Sequence, residues 1–317
     1  MAGRIRRRCA CATIVLVGLV RGQTPATAQA LPRSVLVRTR LGFQMFVHPY
    51  EVDPHISAAI MRNRAYGKET ARFLANAVTR AAATLPSVSD VVVLDVGANV
   101  GYHTLQLVEL GARVFAWECT PVNIRLLRAS LALAPNGGRA VLIPRAASNR
   151  SGHAVVSTTP ASPGASSLGT PGALPWPVDA RGLTVETSTA LADLRALGVA
   201  RAHVLKLDVE GHELEALWGL GPLRALGLRA LAIEFFPPLL RANGHEPVEL
   251  LRYVASQGFE IASSGRRIRP AEFDAFSRQV EQTHRHTDLF CRSLPRGAVE
   301  SRRSAVGRAR SGKSTER

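Results

Sequence analysis

Lysine is nearly absent from this chain. Of its 40 basic residues in 317, only Lys68, Lys206 and Lys313 are lysine, so chemistry that needs a primary amine has three places to occur. We assign the arginine skew itself no function. Aromatic residues make up 5%, too few for the interleaved stacking rings of a nucleic-acid binder. Cysteine is scarce as well: beyond residue 30 only Cys119 and Cys291 remain, which excludes a disulfide framework. No acidic residue precedes Glu51, and the apolar run at 9–20 is only 12 residues long, short of the ~20 a membrane-spanning helix requires.

The formal charge of +16 is concentrated at the two ends. Residues 1–34 hold six Arg and no acid, and residues 292–317 hold eight Arg/Lys against two Glu, so each end carries +6 and residues 35–291 carry +4. Basicity confined to tails is normally solvated, and it argues against a nucleic-acid partner. Arg4, Arg6, Arg7 and Arg8, the apolar run, and Ala26, Ala28 and Ala30 in A-x-A spacing have the layout of a secretory signal peptide. An organelle transit peptide competes with it. The expected organisation is a targeting segment at 1–30, a strand-and-helix extension at 31–90, a main domain at 91–292 and a basic disordered tail at 293–317. The expected location is the secretory pathway or an organelle, with any membrane attachment through the N-terminal segment. Asn149-Arg150-Ser151 is a glycosylation sequon at background frequency.

Within the main domain, strand and helix patterns alternate. Strands are expected at 91–94, 113–118, 141–143, 203–208, 230–234, 259–261 and 288–291, with short strands at 35–37 and 43–47 and helical spacing at 68–85. Gly111 should lie just past a helix that buries Leu105, Leu107, Val108 and Leu110, and Leu214, Leu217 and Trp218 should share one helix side. Alternation of this kind predicts a doubly wound, Rossmann-like α/β sheet. Residues 157–182, with five prolines, read as a long loop, either a lid or a disordered insertion. There is no internal repeat.

The stretch VVVLDVGANVGYHTL at 91–105 carries the chemistry. A buried strand, a glycine turn and a helix start present free backbone N–H groups and a positive dipole end. The dinucleotide fingerprint G-x-G-x-x-G fails because Asn99 stands at its second glycine. A Walker loop fails because Tyr102 follows Gly101. None of the four tyrosines is followed four residues on by lysine, which excludes the Tyr-x-x-x-Lys of short-chain dehydrogenases. What remains is D-x-G-x-x-x-G with an acid, Glu118, ending the next strand, where a carboxylate accepts hydrogen bonds from both hydroxyls of a ribose. Asp95, Gly97, Asn99, Gly101 and Glu118 are therefore the expected cofactor-binding residues, with Trp117, Cys119 and Asn123 flanking them.

A second constellation, VLKLDVEGHELEALWGL, delivers Lys206, Asp208 and Glu210 to the carboxyl end of another strand, where ligands of open α/β sheets sit. Together with WECTPVN, AASNRSG, SSL and LAIEFFP, these motifs resemble the FkbM family of methyltransferases over about 91–291. That resemblance implies a class I methyltransferase sheet, S-adenosylmethionine as cofactor, and methyl transfer to a hydroxyl of a sugar, glycan or polyketide-like small molecule. Alignment and water exclusion would carry most of the rate, and a carboxylate would assist loss of the hydroxyl proton. Asp208 and Glu210 are the expected catalytic groups with Lys206 setting their charge, and the plain alternative is a buried ion pair. Glu234 is placed in the same cleft, and His103 is read as a satisfied histidine. His284 and His286 are read as a polar strand edge; no metal ligand set is assigned. Two other readings are a nucleic-acid methyltransferase and a glycosyltransferase using Asp208-x-Glu210 as a metal site. Amine-methylating enzymes of this fold often carry N-P-P-Y where this chain has D-V-E-G.

Overall fold

The computed structural model describes residues 31, 33–159, 162–168, 182–283 and 286–295. The segments read as a targeting peptide (1–30) and, apart from its first three residues, as a basic tail (293–317) lie outside the described residues.

The chain opens with a hairpin, β1 (Val35–Arg38) and β2 (Gln44–Val47), then α1 (Ile56–Asn63) and α2 (Lys68–Ala82). The hairpin lies against α4 (Pro121–Leu133), where the Phe46 N–H donates to Ser130 Oγ at 2.8 Å. The helix α2 is amphipathic and buries Phe73, Leu74, Ala77 and Val78 on the central sheet, so it belongs to the main layer although it precedes the first central strand.

The central part alternates β3 (Val92–Val96), α3 (Tyr102–Glu109), β4 (Arg113–Trp117), α4 and β5 (Ala140–Ile143). A small second sheet follows, made of β6 (Ala146–Ala147), β7 (Gly152–Thr159), β8 (Ser162–Leu168) and β9 (Leu183–Ser188), with α5 (Ala190–Ala196) after it. The chain returns to the first sheet with β10 (Val204–Leu207), α6 (Glu213–Leu220), β11 (Ala230–Phe235), α7 (Pro237–Ala242), α8 (Pro247–Ser256), β12 (Phe259–Ser263), β13 (Arg266–Ile268), α9 (Phe273–Gln282) and β14 (Thr287–Ser293).

Eight strands form the main sheet in the order β13-β12-β14-β11-β10-β3-β4-β5. The five from β11 to β5 are parallel, and β14 enters antiparallel to β11. Both faces are covered. Val92, Leu94 and Val96 pack one way with Leu205, Leu207 and Ile233, while Val91, Val93 and Val204 pack the other way against Phe73 and Ala77. Burial on both sides is why these strands read as unbroken apolar runs and not as alternation. The doubly wound α/β fold expected from the sequence is the observed one. Its switch point falls between β3 and β10, since the chain proceeds from β3 toward β5 on one side and from β10 toward β11 on the other. The carboxyl ends of β3 and β10 therefore border the crevice where such sheets bind ligands.

Several local expectations need correction. Residues 157–159 and 162–168 are strand, in β7 and β8, while residues 160–161 and 169–181 lie outside the described residues. Pro163 misled because β8 is an edge strand, where a missing N–H costs the ladder nothing. Leu110 falls beyond α3 and is 41% exposed, and Trp218 is 43% exposed with its ring against His245. The helix at 68–85 stops at Ala82, and α1, α5 and α9 had no counterpart in the sequence reading.

Candidate active site

The turn after β3 is built from backbone that side chains disfavour: Gly97 at φ 81°, Asn99 at 53° and Gly101 at 91°. A Cβ on Gly97 would sit 1.7 Å from the Asp208 carbonyl oxygen, so only glycine lets the turns after β3 and β10 pass in contact. At Gly101 the obstruction is Leu127 of α4, at 2.2 Å. Gly101 thus serves helix packing, whereas Gly97 and Asn99 line the cleft.

Glu118, just past β4, closes this half. Its Oε2 accepts from the Asn99 N–H at 2.8 Å, and its Oε1 from the Thr120 N–H at 2.8 Å and Asn123 Nδ2 at 3.5 Å. Asn123 is held in turn by His48 Nε2 at 2.7 Å. Burial raises the Glu118 pKa, and the Thr120 and Asn99 N–H groups pull it back. A carboxylate has about four lone-pair sites, so acceptor capacity remains for a diol at the cleft. Thr120 precedes α4 without a side-chain cap, with Pro121 at the helix's first turn. Burial, then Glu118, push the Cys119 thiol up to about 12, which leaves it un-ionised.

Asp95 stands behind the cleft wall. It is 1% exposed, accepts from Thr104 Oγ1 of α3 at 2.5 Å and lies 3.7 Å from Lys206 Nζ. It braces the turn, joining β3, α3 and β10.

The other half of the cleft is acidic. Lys206 Nζ donates to the Gly97 carbonyl at 2.6 Å and pairs with Asp208 Oδ2 at 3.1 Å. Burial opposes its charge, but Asp208 and Asp95 outweigh burial and hold the ammonium above its ordinary pKa. Lys206 is thus a fixed cation stapling the two turns, not a proton acceptor. Asp208, 32% exposed, reaches the cleft beside Glu210. Glu210 and Gly211 are both left-handed, at φ 55° and 94°. Glu213 of α6 clasps that bend, its Oε1 accepting from the Val209 and Gly211 N–H groups at 3.2 Å each. Burial pushes Glu213 up to about 7.

Glu234, near the end of β11, completes the group. Asp208, Glu210 and Glu234 bring carboxylate oxygens within 4.8 Å of one another, a spacing at which three ligands can hold a divalent cation, and no other such group occurs among the described residues. Burial, then Asp208, hold Glu210 and Glu234 well above the usual carboxylate range, with Glu213 adding to both and Glu210 to Glu234.

Three residues here escaped the sequence reading. Tyr66 lines the cleft from between α1 and α2, and burial followed by Asp208, Glu234 and Glu210 raises its phenol. Arg145 lines it from beyond β5, held by Glu186 at 3.1 Å and Asp193 at 3.0 Å. Asp288 faces Glu234 across the β11–β14 pair and hydrogen-bonds Thr70 Oγ1. No local pattern marks Tyr66 or Arg145; Asp288 follows the two histidines at the start of a strand and could have been flagged.

Among the remaining residues, His103 is buried, 3.4 Å from Gln106 Oε1, with burial and Lys206 lowering its pKa. It is not a cleft residue. Trp117 is fully buried, its Nε1 donating to Asp193 at 2.9 Å, though its edge borders the cleft. His286 lies 3.9 Å from Glu234, and His284 is outside the described residues.

Comparison with known proteins gives this geometry a family. The model of the Methyltransferase FkbM domain matches residues 95–261, more than half of the chain. No curated protein matches. Similar solved structures include Methyltransferase FkbM from Methylobacillus flagellatus KT, at 17% identity and a TM-score of 0.39, covering 63% of this chain and 42% of that one. This chain thus spans less than half the length of that relative. The O-methyltransferase from Bacillus cereus in complex with SAH shares 10% identity at a TM-score of 0.42, over 73% of this chain and 83% of that one. Magnesium protoporphyrin IX methyltransferase from Synechocystis PCC 6803 with bound SAM shares 14% at 0.35, over 72% and 83%. With the domain match spanning both the glycine turn and the K-x-D-x-E run, the chain belongs to the FkbM family of S-adenosylmethionine-dependent methyltransferases.

Proposed function

We propose that this enzyme methylates a hydroxyl group of a sugar, glycan or polyketide-like small molecule, and that the two halves of the cleft divide the work. Gly97, Asn99 and Glu118 bind S-adenosylmethionine, with Asp95 and Gly101 shaping the turn from behind. The cofactor supplies an electrophilic methyl group on a sulfonium. Asp208 and Glu210 orient the acceptor and one of them takes its proton, while Lys206 fixes Asp208 and the Gly97 carbonyl relative to each other.

The observation that carries this reading is that Asp208, Glu210 and Glu234 border the same cleft as Glu118 and the glycine turn. A weakly acidic hydroxyl gains from a carboxylate whose basicity is raised by burial, because proton transfer is most effective when the base's pKa nears the working pH. The acidity of the cleft also disfavours a phosphate-bearing polymer as acceptor, which supports a small molecule or glycan over nucleic acid. The N-terminal segment is proposed to direct the chain to the secretory pathway or an organelle, where it would also serve to attach the chain to a membrane.

The test is a panel of hydroxyl-bearing and amine-bearing acceptors incubated with isotopically labelled S-adenosylmethionine. Label should appear as O-methyl product. Exclusive N-methylation would overturn the acceptor class while leaving cofactor binding in place.

A further inference from the structure

The opposite end of the sheet carries a feature the reaction does not use. Between the C-terminal part of α2 and the amino ends of β10 and β11 lies a cavity of about 520 Å³, a volume suited to a small organic ligand. Arg80, Arg201, Arg229 and Arg292 line it, and no acidic residue does. None of the four guanidinium groups forms an ion pair or side-chain hydrogen bond with another described residue; Arg292 lies over the Phe73 ring at 5.6 Å from its centre. Six other arginines, Arg145, Arg241, Arg252, Arg266, Arg267 and Arg269, each have a carboxylate partner, and others such as Arg72 and Arg128 have none among the described residues; what sets the four apart is that they line one cavity together.

The cavity's other wall is apolar, formed by Phe73, Ala77 and Leu85. His203 lines it too. Its Nδ1 accepts from the Val92 N–H at 3.0 Å, which puts the imidazole proton on Nε2 and makes that nitrogen a donor. Burial, and the neighbouring Arg201 and Arg229, lower its pKa and keep the ring neutral. Four unpaired guanidinium forks beside an apolar wall match a ligand with phosphate oxygens at one end and hydrocarbon at the other. A long strip of charge with stacking rings, as nucleic acid would want, is not what lines this cavity. The chain leaves the cavity at Ser293, and residues 294–317 carry a net +5, so the positive character continues in sequence.

The two ends are joined by one element. Tyr66, just before α2, lines the acidic cleft, while Arg80 near the other end of this 15-residue helix lines the arginine cavity, about 22 Å away at 1.5 Å per residue. We propose that the cavity between α2 and the amino ends of β10 and β11 binds a phosphate-bearing amphiphile through Arg80, Arg201, Arg229 and Arg292. The same chemistry is offered by an anionic lipid headgroup and by a soluble organic phosphate.

Titration of the full chain with inorganic pyrophosphate, and co-sedimentation with phosphatidylglycerol vesicles against phosphatidylcholine vesicles, separates the two sources. Each is repeated on the Arg229→Gln/Arg292→Gln double variant and on Arg252→Gln as a remote control. The expected result is binding of at least one phosphate probe, weakened tenfold or more in the double variant and unchanged in the control. Affinity for S-adenosylhomocysteine and circular dichroism should be retained throughout. Vesicle binding alone identifies a lipid headgroup, and pyrophosphate binding alone a soluble phosphate. The proposal is overturned if neither probe binds, if the double variant binds both as wild type does, or if a single-stranded RNA binds where both phosphate probes fail.

Discussion

The two halves of the catalytic cleft are built on opposite electrostatic principles. On the β3–β4 side the carboxylate at the cleft, Glu118, meets three protein donors from Asn99, Thr120 and Asn123, with the buried Asp95 behind the wall. On the β10–β11 side Asp208 pairs with the buried Lys206 at 3.1 Å beside Glu210, Glu234 and nearby Asp288, and Glu234 Oε2 is buried without a hydrogen-bond partner. The Glu118 carboxylate is satisfied as it stands. The β10–β11 half is short of donors, and a buried polar group left unpaired costs about 1–3 kcal/mol. Such a cost is retained at sites whose groups must change protonation or meet a ligand. The difference agrees with the proposal that the β3–β4 half holds the cofactor and the β10–β11 half meets the acceptor.

That contrast can be broken from either side. The largest effect is expected at the acids: Asp208→Asn and Glu210→Gln should between them expose the base, with turnover falling about 10²–10⁴-fold in whichever variant removes it. Cofactor affinity should stay near wild type, and wild-type turnover in both folded variants would make these carboxylates structural. Gly97→Ala comes next, because its Cβ would meet the Asp208 carbonyl at 1.7 Å on backbone at φ 81°. Strain and overpacking should cost about 3 kcal/mol of stability, read by denaturant unfolding.

Glu213→Gln sharpens the comparison through pH. The folded-state pKa of Glu213 is raised from 4.5 to about 7, so its favourable contribution is complete below about 4.5 and is lost as pH rises toward 7. Thermal stability should therefore decline over that window in wild type, and the variant should remove a part of the decline on the order of 1–3 kcal/mol. An identical pH profile in the variant would place the titration elsewhere. The smallest effect is expected at Tyr66→Phe. Its buried phenol lies near Asp208, Glu234 and Glu210, and losing a hydroxyl able to make one neutral hydrogen bond to the acceptor should cost about tenfold or less in turnover. An unchanged rate with raised KM would assign Tyr66 to acceptor binding alone.

The β3–β4 half was the more legible one in sequence. The strand, turn and acid from Asp95 to Glu118 lie within a short window, and their order alone set the geometry. The K-x-D-x-E run was readable for the same reason, although the role of Glu213 as the clasp on the bend was not. What stayed hidden depends on topology. Tyr66 reaches the cleft because α2 crosses the central sheet, and Asp288 because β14 inserts antiparallel beside β11. Arg145 is aimed by Asp193, more than forty residues onward in α5. The second sheet was missed because composition spoke for loop, while β8 sits at an edge where proline is compatible with a strand.

The most direct measurement is calorimetric titration of S-adenosylhomocysteine into wild type, Glu118→Ala and Asp208→Asn, each verified as folded. Wild type should bind one equivalent. Glu118→Ala should bind about 10- to 100-fold more weakly, the loss of one charge-assisted hydrogen-bonding group, and Asp208→Asn should bind nearly as wild type does. Absence of binding to folded wild type, or a larger loss in Asp208→Asn than in Glu118→Ala, would contradict the assignment of the two halves.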